Sequence, residues 1–131
     1  MKLLIDTQLL LWGAAGFLPN EAVRFFMDED NELLFSSASI WEIVIKKGLN
    51  RPDFRVDPNA LYLGLLENGY IELVITSSHA LLVADLHLIH KDPFDRILVA
   101  QAKVEGATLL TSDKTLSHYS QTIYIKGQPL I

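Results

Sequence analysis

The chain contains no cysteine. That excludes a disulfide framework and any thiolate metal site, and it fits a reducing compartment. No apolar run approaches the roughly 18 residues that a bilayer-spanning helix requires, so no membrane span is expected. Residues 9–18 have the length of a signal-peptide core. However, Asp6 and Gln8 stand where a basic segment belongs, and no Ala-x-Ala-like cleavage site follows. A cytoplasmic location is the expectation. Internal repeats, low-complexity tracts and linkers are missing, and a length of 131 residues suits one domain over 1–131. Positive charge is in deficit, with 11 Lys and Arg against 16 Asp and Glu and a net charge of −5. A protein that grips nucleic acid by electrostatics alone is usually basic, so the charge balance argues against broad, sequence-blind coating of DNA.

Apolar residues, by contrast, make up 50% of the chain, and the mean hydropathy is +0.24. That is ample for a core, with a surplus that hints at a buried partner surface. Leu3-Leu4-Ile5 reads as a short strand, followed by a helix over 7–14. A second helix is predicted over 19–29, with Pro19 near its start, and a second strand over 32–36. A third helix from about 40 to 49 ends near Gly48 and Asn50, and two prolines mark 51–58 as an exposed loop. Helices over 58–68, 78–86 and 93–105 follow, the last ended by Gly106, with strands at 71–75, 107–111 and 122–125. Strands alternating with helices imply βαβ units. The strands are continuous apolar runs, as expected when both faces are covered. The prediction is a three-layer α/β/α sandwich around a mainly parallel sheet of roughly five strands.

Four acids fall where such a sheet would gather them. Asp6 follows the first strand, Glu42 lies beyond the second, Asp95 opens the 93–105 helix, and Asp113 follows the 107–111 strand. Carboxyl ends of parallel strands and the starts of the next helices share one edge. Each acid also has a purely structural explanation. Asp6 suits an N-cap, and Ser39-Ile40-Trp41-Glu42 spells a capping box. Asp92-Pro93-Phe94-Asp95 gives an N-cap, a proline at N1 and an acid favoured by the helix dipole. Asp113 suits the cap of a turn through His118. Capping explains an acid at a helix start; it does not explain convergence on one edge.

Convergence has an energetic consequence. Two like charges about 4 Å apart repel by roughly 4 kcal/mol at an effective dielectric near 20. Four carboxylates in one pocket therefore raise one another's pKa values or recruit a cation. Hard oxygen donors, with no cysteine, favour Mg²⁺ or Mn²⁺ over zinc. Such a site suits phosphoryl chemistry, in which the ion activates water and stabilises the leaving oxygen. Without the quartet the net charge is −1, the chain's −5 less four negative charges. The acidic balance is thus compatible with a nucleic-acid substrate approached through bound metal.

Four segments resemble motifs of a known family. They are Leu3-Leu4-Ile5-Asp6-Thr7, Ser36-Ser37-Ala38-Ser39-Ile40-Trp41-Glu42-Ile43, Asp92-Pro93-Phe94-Asp95-Arg96 with the following Ala100-Gln101-Ala102, and Leu109-Leu110-Thr111-Ser112-Asp113. In this order and over nearly the whole chain they resemble the PIN domain, specifically the VapC-type toxin ribonucleases of toxin–antitoxin pairs. The resemblance implies a Mg²⁺- or Mn²⁺-dependent endoribonuclease with Asp6, Glu42, Asp95 and Asp113 as metal-binding and catalytic acids. It also implies an RNA substrate, a cognate antitoxin covering the site, and a toxin homodimer. Asp92 is kept out of the ligand set as an N-cap.

Around the quartet, Thr7, Thr111 and Ser112 are candidates to orient ligands or water, with backbone capping as the alternative and the better reading for Ser112. Arg96 is the sharpest candidate for phosphate contact, with Glu42 or Asp92 as alternative partners. Lys46, Lys47, Arg51, Lys91 and Lys114 are weaker ones. His79, His87, His90 and His118 show no ligand spacing, and His87 and His90 read as loop polarity. Trp12 and Trp41 read as core or interface. Leu9, Leu11, Trp12, Phe17, Phe25 and Phe26 are core by default and partner-facing as the alternative. The competing functional class is a noncatalytic PIN-like RNA-binding or assembly module, for which an intact quartet is surplus. A receiver domain needs a phospho-acceptor Asp at the third strand, where this chain has Val74-Ile75-Thr76. A haloacid-dehalogenase-like phosphatase needs Asp-x-Asp, and residue 8 is Gln.

Overall fold

Burial of short apolar strands from both sides organises the molecule. The computed structural model describes residues 1–49 and 54–126. In chain order its elements are β1 (Lys2–Ile5), α1 (Thr7–Ala15), α2 (Asn20–Met27), β2 (Glu32–Ser36), α3 (Ser37–Gly48), α4 (Pro58–Glu67), β3 (Ile71–Leu73), α5 (Ser77–Leu82), α6 (Pro93–Glu105), β4 (Thr108–Thr111) and β5 (Thr122–Tyr124), with short 3₁₀ turns at Val83–Asp85 and Leu116–His118. The predicted residues 50–53 of the third helix end and loop, Arg51 among them, lie outside the described residues.

The five strands form one sheet in the order β3-β2-β1-β4-β5, and every described pairing is parallel. Successive strand side chains point to opposite faces, which divides the core in two. Leu3 and Ile5 of β1 and Leu110 of β4 join Leu9 and Leu10 of α1, Ile43 of α3 and Leu61 and Leu65 of α4 on one face. Leu4 of β1 and Leu109 of β4 meet Leu98, Val99 and Ala102 of α6 on the other. Each fully buried side chain of this size contributes roughly 1.5–3 kcal/mol relative to exposure. The three-layer α/β/α expectation is met.

Topology places the site. From β1 the chain builds outward through β2 to β3, then crosses back to lay β4 against the other side of β1. Direction therefore reverses between β1 and β4, and a crevice opens at the carboxyl ends of strands at such a switch point. Asp6 follows β1 and Asp113 lies two residues beyond β4.

Local boundaries differ from the sequence expectations in instructive places. Helix α3 starts at Ser37 rather than near Ile40, because Ser36 caps it by accepting the Ala38 N–H at 3.0 Å. The capping box expected of Ser39 and Glu42 does not form. A capping box exists instead at α5, between Thr76 and His79. Strand β3 stops at Leu73, leaving Val74 and Ile75 exposed, and the helix expected over 78–86 is α5 followed by a 3₁₀ turn. Of the residues expected as core or partner-facing, Leu9 and Leu11 are buried, Trp12, Phe25 and Phe26 pack partly buried against the core, and Phe17 is exposed. Among the described residues no helix is long and apolar enough to cross a membrane.

Candidate active site

Asp6 is both cap and bridge. Its Oδ1 accepts the Leu9 N–H at 2.8 Å as the N-cap of α1. Its Oδ2 reaches across to β4, accepting the Thr111 hydroxyl at 2.6 Å and the Ser112 N–H at 3.0 Å. The carboxylate is only 4% exposed. Burial pushes its pKa upward against those three hydrogen bonds, and the charge of Asp113 pushes the same way.

Asp95 occupies the first turn of α6. Asp92 caps that helix, accepting the Phe94 N–H at 2.8 Å and the Asp95 N–H at 3.3 Å, and Pro93 follows as the pre-organised first residue. Asp92 is thus committed to capping, as the sequence suggested. Burial, then the charge of Asp92, raise the Asp95 pKa to about 7; Glu42 and Asp6 add to the rise and His90 opposes it. Glu42 and Asp6 are thus near enough to Asp95 for their charges to act on it. Asp113 joins from the loop after β4. Its Oδ1 accepts the Thr115 N–H at 2.8 Å, and its Oδ2 lies 2.9 Å from His90 Nε2. Partial burial pushes its pKa up, but the His90 and Thr115 hydrogen bonds outweigh that, and the net effect is a lowered value. Neighbouring carboxyls with pKa values driven apart are a recurrent sign of divided chemical roles.

Glu42 sits in the second turn of α3, too far from the helix start to serve as a cap. The structural explanation available to it in the sequence is therefore removed. Its Oε2 lies 3.5 Å from Lys46 Nζ, and its Oε1 is buried with no hydrogen-bond partner. A buried carboxylate oxygen without a donor is costly unless something positive completes it. All-oxygen donors, an orphaned Glu42 oxygen and the raised pKa values of Asp6 and Asp95 fit a hard divalent cation.

The surrounding residues divide. Thr111 ties the site together, donating to Asp6 and accepting the Asp113 N–H at 3.0 Å. Thr7 is buried but donates to Ser39 Oγ at 2.9 Å, joining α1 to α3 rather than touching an acid. Ser112 contributes its backbone N–H. Arg96 departs from expectation. Its guanidinium donates to the carbonyls of Val83, His87 and His90 and to the Tyr119 hydroxyl, and it pairs with neither Glu42 nor Asp92. Its donors hold a loop instead of facing a phosphate. Lys47, Lys91 and Lys114 are exposed. Trp41 is 60% exposed, its ring edge-to-face with Phe94 at 5.2 Å.

Two histidines escaped the sequence reading. His79 is fully buried, with Nδ1 accepting the Thr76 N–H and Nε2 2.8 Å from Glu105, which locks α5 to α6. His90 stands beside Asp95 and Asp113, and one ligand-type atom from each of the three lies within 4.8 Å of the others. Its position directly before Lys91-Asp92-Pro93 at a helix start was the available signal, but its partner Asp113 is 23 residues away.

No curated protein matches the chain by sequence. Among solved structures, VapBC2 from Rickettsia felis bound to a DNA fragment from its promoter is similar, with a TM-score of 0.69 and 14% identity, covering 95% of this chain and 98% of that one. A toxin–antitoxin complex from Klebsiella pneumoniae follows, with a TM-score of 0.67, 19% identity and coverage of 92% and 94%. DNA-bound VapBC from Salmonella typhimurium gives a TM-score of 0.65, 14% identity and coverage of 95% and 97%. These likenesses establish the fold. The PIN domain family model matches residues 3–121. With that match over most of its length, the chain belongs to the PIN domain family.

Proposed function

We propose that the chain is a VapC-type endoribonuclease, the toxin of a type II toxin–antitoxin module, with Asp6, Glu42, Asp95 and Asp113 holding Mg²⁺ or Mn²⁺. The observation that carries this reading is the electrostatic coupling of Asp95 to Glu42 and Asp6, beside an orphaned Glu42 oxygen. Membership of the PIN family and the likeness to toxin–antitoxin complexes support it.

The reaction is hydrolysis of an RNA phosphodiester: water attacks phosphorus, one P–O bond breaks, and the leaving oxygen gains a proton. A divalent ion held by the four acids would lower the pKa of its bound water and offset the charge of the adjacent phosphate. The protein's part is positioning. Asp6 cannot swing, because Leu9, Thr111 and Ser112 fix both of its oxygens. Asp95 is held by its helix turn and Asp113 by the Thr115 N–H. Lys46, 3.5 Å from Glu42, is the lysine of this reading that would meet a phosphate oxygen.

A cytoplasmic RNA-cutting toxin needs restraint. The apolar groove of about 740 Å³ between α1, α2 and α4, lined by Leu10, Leu11, Leu18, Phe26, Leu61 and Tyr70, supports an antitoxin partner. Exposed Trp41, Val44, Ile45 and Leu49 on and just after α3 support a homodimer.

Asp6→Asn and Asp95→Asn each test the reading. Both are expected to abolish divalent-dependent cleavage of RNA while circular dichroism stays that of the parent. Undiminished cleavage by either variant sinks the assignment. A parent protein that binds RNA without cutting it in Mg²⁺ or Mn²⁺ points to the noncatalytic module.

A further inference from the structure

His90 meets two of the four acids through one nitrogen. Its Nε2 lies 2.9 Å from Asp113 Oδ2 and 3.3 Å from Asp95 Oδ2. The other ring nitrogen, Nδ1, lies 3.1 Å from the backbone N of Asp92. An amide N–H only donates, so Nδ1 is the lone-pair nitrogen and the ring's proton resides on Nε2. The ring therefore presents an N–H to the carboxylates. A metal ligand must present a lone pair, and here the free lone pair is already taken by Asp92. His90 in this arrangement donates to Asp113, with Asp95 within ion-pair reach of the same nitrogen, and is not a fifth ligand.

The loop that carries His90 is built to keep it there. The Tyr119 hydroxyl, on a side chain only 5% exposed, accepts the His90 N–H at 3.1 Å and donates to the His87 carbonyl at 2.8 Å. Arg96 Nη1 donates to the carbonyls of His87 and His90 at 3.2 and 3.3 Å, and Nη2 to that of Val83 at 3.0 Å. Arg96 and Tyr119 come from α6 and from the turn after β4, the same segments that bring Asp95 and Asp113. One strap thus fixes the donor relative to both acceptors.

We propose that His90 is a positioning residue of the carboxylate site, its Nε2–H bridging Asp95 and Asp113 and holding their spacing for the divalent ion. This rests on the reading of the acids as a metal centre. Asp113 lies on a loop with its side chain 38% exposed and its Oδ1 held by the Thr115 N–H, so the bridge is what fixes Oδ2 relative to Asp95. Loss of a hydrogen bond that orients a ligand typically costs 10- to 100-fold in metal affinity or activity.

The test uses the whole chain and three substitutions. His90→Leu keeps bulk without a donor, His90→Ala removes both, and His90→Gln places an amide N–H near the position of Nε2. Mn²⁺ binding, followed by electron paramagnetic resonance, is expected to weaken about 10- to 100-fold in the Leu and Ala variants and to recover largely in Gln. RNA cleavage should follow, with the loss reduced at high Mn²⁺. In the metal-free parent, ¹⁵N–¹H correlation of the imidazole should show a protonated Nε2 and an unprotonated Nδ1. The opposite tautomer, unchanged Mn²⁺ affinity in the Leu variant, or equal losses in Leu and Gln overturns the assignment to His90 alone. A parent protein that binds no Mn²⁺ overturns the metal-centre reading and this inference with it.

Discussion

At the scale of single residues, Asp95 and Asp113 have opposite electrostatic fates. Asp95 is pushed from 3.8 to about 7 by burial and by neighbouring carboxylates. In the metal-free protein the folded state therefore holds a proton at this site between about pH 4 and 7 that the unfolded chain has released. Stability is fully present below the unfolded value and falls as pH rises through the folded one. Asp113, lowered by His90 and Thr115 despite its partial burial, works the other way: its contribution is present above 3.8 and lost as pH falls below that. With chelator present, Asp95→Asn is expected to flatten the decline from pH 4 to 7. It should leave the variant more stable than the parent at pH 8, by on the order of 1 kcal/mol after discounting for solvent screening. Urea unfolding at pH 4, 6 and 8 measures this, and parallel pH profiles for the two proteins refute it.

Among elements, α6 was legible almost residue by residue. Asp92, Pro93 and Gly106 are start and stop signals whose physics is local, and the helix runs between them as expected, Gly106 closing it at φ 65°. Asp92→Ala removes the acceptor of two backbone N–H groups and should cost about 1 kcal/mol of stability. Asp92→Asn keeps a capping oxygen and should cost less, while lowering the Asp95 pKa by removing the adjacent charge. An Asn variant as destabilised as the Ala variant contradicts the capping role. Helix α3 was less legible because Ser36, Ser37 and Ser39 are all competent caps. Selection among them depended on where β2 stops pairing, and that register with β3, Ser36 against Leu73, is set by a neighbour far along the chain. Ser39, freed from capping, is buried and accepts from Thr7.

For the whole molecule, the parallel sheet and two-sided core dominate stability, and the buried carboxylates Asp6 and Asp95 oppose it at neutral pH. Leu109→Ala, in a β4 position with no exposure, should cost about 2–5 kcal/mol by denaturant titration. Retained stability there would contradict the packing of β4 against α6. Divalent ions that bind only the folded state stabilise it by mass action, about 2.7 kcal/mol at 100 times the dissociation constant. The expected result is a rise in the melting temperature of the parent protein with Mn²⁺ and a much smaller rise for Asp6→Asn or Glu42→Gln. Equal responses in all three would rule out a shared cation at the quartet.

The amino-acid sequence by itself determined the alternation of strands and helices, the two-sided burial of the strands and the caps at Asp6 and Asp92. These rest on local propensity and apolar periodicity. Motif order also singled out the four acids and the resemblance that the family match later bore out. Tertiary structure alone decided what those acids meet. The return of β4 beside β1 brings Thr111 and Ser112 onto Asp6 across more than 100 residues. The same packing turns Arg96 inward to the loop carbonyls and sets His90 between Asp95 and Asp113. Hydrogen-bond partners separated by tens of residues leave no periodic trace in a sequence, because their spacing is a property of the closed fold and not of the chain.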